Sequence, residues 1–465
     1  MINTAAIWIL FPALMTTLAL LLRRWRWVSW GMTLFTAAVL TWLAFFMPMK
    51  GSFQLLFLKI TLQDTALFFG REFVLGESER MMLALLDGSL AFWLVPIPLI
   101  RGTKQFPALG LGLVSIFTAV IAIRPFLFAA LLIECAVLLC FPLLIPIGSQ
   151  ANRGLLRWLS QVSLSLPCIL YSGWALSRVE LASTAPQMII RAALLMGVGF
   201  IFLLGVFPFH SFLPMMLTSL PPYITTYVLF LYTTFVSLFG IALINQFPWL
   251  KESPAVHIII AAVGSFMIML SGLLGSTQNH YGRLLSYVLL SEIGYSLLAI
   301  GVSFEVGLGA FYTLLIPRIL ALGMMALSLE ELKSYRMDLT AGSLEGAAQY
   351  APWSSLGLSL AFFSTIGLPP LAAYPSRLLL WEILGSRNIW MTLFVFIGGI
   401  SLLAAGFRMV SELYSQAVAP SKVLSLEPLA VRIFLGLGIL GLIGFGLVPQ
   451  WMTPFLSDLM RTFSK

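Results

Sequence analysis

The sequence predicts an all-α polytopic membrane protein, and two observations carry that prediction. Of the 465 residues, 60% are hydrophobic and only 9% are charged, with a mean hydropathy of +1.00, a composition that excludes a water-soluble globular fold. Apolar runs of roughly 17 to 25 residues, long enough to cross a bilayer, recur along the whole chain. Counting these runs gives about 14 transmembrane helices.

The chain begins with two apolar runs, at residues 5–22 and 28–47. The first is too long for the apolar core of a signal peptide and ends at arginines, not at a small-residue cleavage site, so we expect a spanning helix. Residues 48–80 interrupt the pattern. Their alternating and charged sequence predicts a short amphipathic hairpin that lies at one membrane surface.

Two acidic residues stand inside the next apolar runs. Asp87 lies near the start of the third helix, where we expect a cap or a surface residue. Glu134 lies at the middle of the fifth helix among Leu, Ile, Ala and Val. Burial there favours the protonated carboxyl, which suits a proton carrier, although a glutamate that only fixes helix packing remains the alternative.

Two later runs are interrupted by helix breakers. The seventh run, near residues 188–218, breaks at Gly205 and Pro208, and the twelfth, near 352–385, breaks at Gly367, Pro369 and Pro370. A broken spanning helix leaves backbone groups unpaired at membrane depth, and transporters use such breaks to line an ion path. Both runs are therefore candidates for such a path.

Four further ionisable residues lie in apolar surroundings and are candidates for the path. His210, in the first break, can either relay a proton near neutral pH or bond the freed backbone. Glu292 lies near the centre of the run at 283–302. Arg318 and Arg377 cannot release a proton in a protein, so we expect fixed counter-charges or electrostatic gates. For Arg318 the alternative is a side chain that extends to the membrane interface.

The spacing of these features predicts an internal duplication. Glu134 precedes Pro208 by nearly as many residues as Glu292 precedes Pro369, as two inverted five-helix repeats would give, each with a Pro-broken helix. We divide the chain into N-terminal helices 1–3 with a surface loop (1–107), a first repeat of helices 4–8 (108–250), a second repeat of helices 9–13 (251–412), and a C-terminal helix and tail (413–465). Loop charges favour both termini outside.

Several kinds of site are not expected from this sequence. The three cysteines all lie in apolar runs without metal or redox spacing, and there is no catalytic triad, phosphate loop or metal cluster. We therefore expect no catalytic residue, no metal and no cofactor on this chain. The net charge of +8 comes from loop residues that set membrane orientation, so no nucleic-acid partner is expected.

Three stretches resemble a known family. They read GVFPFHSFLP at 205–214, QNHYGRLLSYVLLSEIGY at 278–295 and DLTAGSLEGAAQYAPWSSLGLSLAFFSTIGLPPLAAYPSRLLL at 338–380. They are similar to the antiporter-like membrane subunits of respiratory complex I (NADH:quinone oxidoreductase) and of Mrp antiporters, closest to the smallest, fourteen-helix type (subunit N type).

The resemblance assigns roles and also exposes departures from the family. It implies that Glu134 is the fifth-helix glutamate, which in the family pairs with a lysine on the broken seventh helix. That lysine falls at Leu203 here, and the eighth-helix lysine falls near Tyr232 and Thr233. In the second half, Glu292 stands in place of a histidine. Arg377 stands in place of the twelfth-helix lysine.

The resemblance implies a proton-translocating, antiporter-like membrane subunit of a complex I-type oxidoreductase that passes electrons from NADH or a related donor to quinone. The chain itself would hold no redox centre. Its partners would be other membrane subunits of an oxidoreductase or antiporter complex and the lipid bilayer, with quinone involved at most indirectly. Its location would be an energy-transducing membrane, in a bacterium the inner membrane. The predicted path residues are Glu134, Glu292, His210, Arg318 and Arg377.

Two alternatives stay open. The missing lysine at Leu203 removes the switchable ion pair of the first half, as in a degenerate, non-conducting structural subunit. The broken helices also fit an Mrp-type cation/proton antiporter or a stand-alone secondary transporter.

Overall fold

A computed structural model of the chain describes residues 2–49, 51–55, 58–68, 70–77, 79–100, 104–145, 152–179, 186–302, 304–336, 338–416 and 427–452. In this part of the chain, eleven helices are long and apolar enough to cross a membrane. The all-α polytopic prediction is confirmed. The count of fourteen spans stays a prediction; one further apolar helix, Phe106–Ala122, is too short to qualify.

The N-terminal helices form one packed group. They are α1 (Thr4–Leu21), α2 (Arg26–Phe46), α3 (Arg80–Leu94) and α4 (Phe106–Ala122). α4 packs against α1, α2 and α3, and α2 packs against α3. Nearly every residue of α4 is buried, as expected for a helix that is apolar on all sides.

Short strands lie between α2 and α3 and at the two ends of this group. One sheet contains β1 (Ile2–Asn3), β2 (Gly51–Leu55) and β3 (Leu58–Gln63) in the order β1-β3-β2. The other contains β4 (Thr65–Phe68), β5 (Arg71–Val74) and β6 (Ile123–Arg124) in that order. The prediction of a single hairpin in residues 48–80 was wrong. Two hairpins form there, and each gains a third strand from outside that range.

The middle of the chain surrounds one central helix. Its elements are α5 (Ala129–Leu144), α6 (Arg153–Val179), α7 (Pro186–Leu204), α8 (Phe212–Ser219) and α9 (Pro222–Gln246). α9 contains no charged residue and is buried along nearly its whole length. Its contacts extend to α4, α5, α7 and α8 on one side and to α12 and α13 on the other. It is therefore a helix of the first predicted repeat that contacts α12 and α13 of the second.

The remaining elements are α10 (Pro248–Lys251), α11 (Pro254–Ser276), α12 (Tyr281–Val302), α13 (Phe304–Arg336), α14 (Pro352–Ile366), α15 (Tyr374–Arg387), α16 (Ile389–Leu413) and α17 (Leu429–Leu447). Small residues allow α11 to approach both α12 and α16 closely. Gly272 of α11 faces Gly398 of α16 so closely that a methyl group on either would overlap the opposite backbone. Such small-residue contacts are typical of membrane helix pairs, which lack a hydrophobic driving force between helices.

Both breaks begin with the same C-terminal helix cap. α7 ends before Gly205 (φ 61°), where Val206 N–H donates to the Ile201 carbonyl at 3.0 Å. α14 ends before Gly367 (φ 90°), where Leu368 N–H donates to the Phe363 carbonyl at 3.2 Å. This six-to-one bond, with a glycine in the left-handed region, is the Schellman motif. The glycines therefore end the helices, and the prolines that follow prevent their continuation.

Segments late in the chain support the second break. Gly446 of α17 lies against the carbonyl of Pro370, with no space for a side chain. The carboxylate of Glu427 accepts the backbone N–H groups of Trp353 (3.0 Å) and Ser354 (2.8 Å) at the start of α14. A carboxylate at this position satisfies donors that the helix leaves unpaired and complements the helix dipole. The division of the chain into four segments stays a prediction.

Candidate functional site

Glu292 on α12 lies between two arginines. Its Oε2 accepts a 2.7 Å hydrogen bond from Nε of Arg318 on α13, and its Oε1 accepts one from Nη2 of Arg377 on α15. The three side chains are buried, with 4%, 5% and 1% of their surface exposed respectively. Three of the predicted path residues thus meet from three helices, and 85 residues separate Glu292 from Arg377 in the sequence. We call Glu292, Arg318 and Arg377 the ion-pair cluster.

Neighbouring groups hold both guanidinium groups in place. Arg318 also donates to the Ser296 hydroxyl and to the carbonyl of Glu292, each at 3.0 Å. The guanidinium carbon of Arg377 lies 3.7 Å from the centre of the Tyr295 ring, in a cation–π contact. Trp381 in turn donates to the Tyr295 hydroxyl at 3.3 Å. The alternative that Arg318 extends to a membrane interface was wrong.

The ion-pair cluster carries an unbalanced charge. One carboxylate against two guanidinium groups leaves a net charge of +1. Moving ions out of water costs several kcal/mol each, and this cost is recovered only by good geometry and additional hydrogen bonds. Arg377 meets that condition incompletely, because its Nε has no hydrogen-bond partner among the described residues.

Two buried hydroxyl groups, on α12 and α14, are also incompletely bonded. The side-chain oxygen of Ser291, next to Glu292, is buried and has no hydrogen-bond partner in the described chain. The same is true of Ser364 near the end of α14, the helix that precedes the second break. Buried hydroxyls without a protein partner are the groups that an ordered water would satisfy. These hydroxyls add hydrogen-bond acceptors, which the arginine side chains lack.

Glu134 lies apart from this site. The expected burial of Glu134 was wrong, because its side chain is only partly buried, on the outer side of α5 beside exposed Cys135 and Leu131. Its Oε1 accepts a 2.6 Å hydrogen bond from the exposed Ser163 on α6. The hydrogen-bonded pair of Glu134 and Ser163 therefore lies on the outer surface formed by α5 and α6.

His210 lies in the first break, partly buried, as predicted for a residue of that segment. Its ring stacks on Phe207, with 5.6 Å between centroids, and lies 6.4 Å from the Tyr287 ring on α12. Its Nδ1 has no hydrogen-bond partner among the described residues. The side chain that bonds the backbone of the break is Gln161 on α6, whose Nε2 donates to the Phe209 carbonyl at 3.0 Å.

Aromatic packing fills the place where the family resemblance implies lysines. Leu203 is fully buried, and its carbonyl accepts a 2.7 Å hydrogen bond from the hydroxyl of Tyr232 on α9. Trp158 meets the Tyr232 ring edge to face at 4.8 Å and stacks on Phe212 at 6.2 Å. No charged side chain takes part in these contacts. The first break is thus closed by neutral groups.

Sequence reasoning misplaced Asp87 and overlooked Gln161. Asp87 lies within α3 and is 1% exposed, so it is neither a cap nor a surface residue. The sequence did indicate the burial of Asp87, because an acidic residue inside a spanning helix is costly to expose to lipid and usually faces the protein interior. Gln161 gave no comparable signal, since glutamine is uncharged and α6 has a long polar side.

The described residues contain no group of three or more His, Cys, Asp or Glu that could hold a metal ion. The site therefore consists of fixed charges, hydroxyls and one carboxylate. The roles of Glu134, Glu292, His210, Arg318 and Arg377 in proton transfer stay predictions.

Comparisons with known proteins agree with the motifs. Residues 169–402 match the family described as NADH:quinone oxidoreductase/Mrp antiporter, TM, a range that includes both breaks and the ion-pair cluster. The NADH-quinone oxidoreductase subunit N of Acidithiobacillus ferrooxidans is 24% identical over 294 residues, covering 59% of this chain and 57% of that protein. Subunit N 1 of Herpetosiphon aurantiacus is 24% identical over 282 residues, covering 58% and 56%. The match thus spans little more than half the length of these relatives.

Solved structures share the fold over nearly the whole chain. An archaeal membrane-bound sulfane sulfur reductase contains a chain with a TM-score of 0.81 at 14% identity, covering 99% of this chain and 98% of that one. The Mrp complex of Dietzia sp. gives 0.77 at 14% identity, covering 99% and 97%. Respiratory complex I of Thermus thermophilus gives 0.76 at 18%, covering 99% of each chain. The protein therefore belongs to the NADH:quinone oxidoreductase/Mrp antiporter membrane-subunit family.

Proposed function

We propose that this chain is a proton-translocating membrane subunit of a complex I-type oxidoreductase, and that its second half carries the proton. The observation that carries the proposal is the position of Glu292, a buried carboxylate shared by two arginines, one of which lies on the helix after a break. Relatives of this chain carry the name NADH-quinone oxidoreductase subunit N.

In this proposal Glu292 is the proton carrier and the arginines are fixed charges. Because an arginine keeps its proton in a protein, neither Arg318 nor Arg377 can pass one on. Two guanidinium groups stabilise the ionised carboxylate, so Glu292 takes up a proton when one of them moves away. Arg377 is the better candidate for that movement. It is on the short helix after the second break, whereas Arg318 has two further hydrogen bonds.

The path to and from Glu292 would use hydroxyls and water. The hydroxyls of Ser291 and Ser364, which have no partner among the described residues, would bind water within the fold. His210 lies near Tyr287, one helical turn before Ser291 on α12. The first break thus lies next to the helix that carries Glu292. Glu134, on the outer side of α5, would serve at a contact with a neighbouring membrane subunit.

We propose an energy-transducing membrane as the location, the inner membrane in a bacterium. The partners would be the other membrane subunits of the complex, with electron donor and quinone held elsewhere. Purification of the tagged chain from native membranes in mild detergent tests this first. We expect hydrophilic flavin or iron–sulfur subunits to copurify. Recovery with antiporter-like subunits alone would instead support an Mrp-type assembly.

A second function, that of a non-conducting scaffold, is favoured by one observation. The Leu203–Tyr232 contact and the rings around it contain no lysine, arginine or carboxylate, so the switchable ion pair that the family resemblance implies is missing there. A scaffold would need only the packing of the helices. The two functions differ in what Glu292 does, and the following experiment separates them.

The test measures coupled proton pumping by the reconstituted parent complex. We expect Glu292→Gln to lower the number of protons moved per electron pair while subunit composition is retained. Glu252→Gln, the same change at an exposed loop position, is the matched control and should pump normally. If Glu292→Gln fails to assemble, the double variant Glu292→Gln/Arg377→Met keeps the wild-type net charge of the cluster. Normal pumping by either assembled variant would support the scaffold.

A further inference from the structure

Asp87 is an acidic residue that the proposed path does not use. It lies in the interior of α3, 1% exposed, and neither carboxylate oxygen has a hydrogen-bond partner among the described residues. It thus differs from Glu292 and Glu427, whose oxygens all accept hydrogen bonds. An ionised carboxylate without partners in an apolar interior is among the most costly groups a protein can contain.

The helices around α3 provide no cation for Asp87. α4 and α9 contain no Asp, Glu, Lys, Arg or His. α13 and α17 also contact α3, but Arg318 of α13 is bonded to Glu292 and Arg432 of α17 donates to the Glu427 carbonyl. α2 contains only Arg26, which donates instead to the carbonyls of Ile97, Pro98 and Ile100. On α3 itself, Arg80 pairs with Glu77 at 3.2 Å. An ionised Asp87 would therefore be an uncompensated charge.

The polar side chains of the neighbouring helices bring no charge to Asp87. Several bond to backbone carbonyls, and Thr118 on α4, whose hydroxyl has no partner among the described residues, is neutral. On α2, Thr33, Thr36 and Thr41 all donate to carbonyls of their own helix, at 2.7 to 3.0 Å. On α4, Ser115 donates to the Ile9 carbonyl at 2.7 Å. Tyr227 on α9 interacts electrostatically with Asp87, but a phenol is neutral at physiological pH and brings no positive charge.

We infer that Asp87 is a proton-binding site, separate from the ion-pair cluster, and that it holds its proton in the folded protein at neutral pH. The neutral acid removes the uncompensated charge and gains one O–H donor that can bond a helix carbonyl, as the neighbouring threonines do. The inference does not depend on the proposed path through Glu292, because it follows from the surroundings of α3 alone.

Infrared spectroscopy of the full-length chain labelled with carbon-13 aspartate tests the inference. The sequence has four aspartates, and a protonated carboxyl has a C=O stretch that an ionised carboxylate lacks. We expect an isotope-shifted carboxylic-acid band in the wild type at neutral pH. Asp87→Asn should remove this band. Asp338→Asn should retain it, because Asp338 is exposed and accepts hydrogen bonds from Leu339 N–H and the Thr340 hydroxyl.

Thermal unfolding provides an independent readout. Asparagine has the shape of the neutral acid and no charge, so Asp87→Asn should fold and melt at the wild-type temperature. The absence of an aspartic-acid band from the wild type would overturn the inference without any variant. A marked fall in the melting temperature of Asp87→Asn would also contradict it, because it would show that the negative charge is needed.

Discussion

The hydroxyl of Tyr232 on α9 donates a 2.7 Å hydrogen bond to the carbonyl oxygen of Leu203, in the last turn of α7 before the first break. A helix end leaves carbonyls unpaired, and this one is satisfied by a side chain from another helix. The family resemblance implies lysines at or near both positions. Here a neutral bond joins the two positions, and Glu134 has no lysine at residue 203 to pair with.

Removing that hydroxyl should destabilise the protein. Tyr232→Phe retains the ring and its contact with Trp158 but leaves the buried Leu203 carbonyl without its donor, at a cost of about 1–3 kcal/mol. Thermal unfolding in detergent should show the loss. Tyr414→Phe, at an exposed position after α16, is the control and should change stability by no more than about 0.5 kcal/mol. Equal melting of the two variants would argue against a structural role for the bond.

The charge of the ion-pair cluster predicts an order among single substitutions. Arg377→Met leaves one carboxylate and one guanidinium, a net charge of zero. Glu292→Gln leaves two buried guanidinium groups without an acid. Breaking a buried pair in this way costs about 3–5 kcal/mol, so we expect Glu292→Gln to be the more destabilising change. Unfolding of both variants in the same detergent gives the order, and a reversed order would show that Glu292 is not ionised in the folded protein.

Stability should decrease as the pH falls, in part because of His280. Burial lowers the pKa of His280, which lies outside the spanning helices, and nearby Arg283 and Lys333 lower it further against the opposing effect of Asp338. The unfolded chain therefore binds this proton from about pH 6.5 downward, before the folded chain does. The contribution is fully present above that pH and is lost as the pH falls from there through the lower pKa of the folded state.

The measurement is the melting temperature between about pH 7 and pH 5. His280→Asn removes the titrating group, so its melting temperature should fall less steeply over this range than that of the wild type. A variant curve parallel to the wild-type curve would mean that other groups account for the acid sensitivity.

Two adjacent glycines on α16 should respond in opposite ways to alanine. A methyl group on Gly398 would overlap the carbonyl oxygen of Ile268 on α11, whereas one on Gly399 would meet open space. We expect Gly398→Ala to cost about 1–3 kcal/mol as α11 and α16 separate. Gly399→Ala should leave the free energy of unfolding unchanged or raise it by up to about 1 kcal/mol, because alanine has the higher helix propensity. Expression level and thermal unfolding of the pair check this, and similar results for both would contradict the close α11–α16 packing.

Hydropathy and breaker residues were sufficient to predict the all-α membrane fold and both broken helices, because crossing a bilayer restricts the backbone to few solutions. It was harder to predict which face of each helix points to the protein interior. α5 is apolar on every side except Glu134 and the cysteines, so its sequence contains no periodicity that distinguishes an inner face from an outer one. This is why Glu134 was placed inside.

The meeting of Glu292 with Arg318 and Arg377 could not be derived from sequence for a different reason. The three residues lie on α12, α13 and α15, and their contact depends on how those helices cross, which one sequence does not specify. Each was recognised as a buried charge, but not as a member of one cluster. The burial of Asp87 was missed because its position near the start of an apolar run favoured a cap, whereas α3 begins earlier, at Arg80.

The support that α14 and Pro370 receive from Glu427 and Gly446 has a consequence for biosynthesis. Both supporting residues leave the ribosome after α16, whereas the helices of the ion-pair cluster have by then been synthesised. A nascent chain that has inserted only as far as α16 therefore holds α14 with an uncapped first turn and the Pro370 carbonyl uncovered. The surroundings of the proposed proton site are thus complete only when α17 inserts. A chain arrested before that point would contain Glu292, Arg318 and Arg377 but lack the contacts of Glu427 and Gly446 with α14 and Pro370.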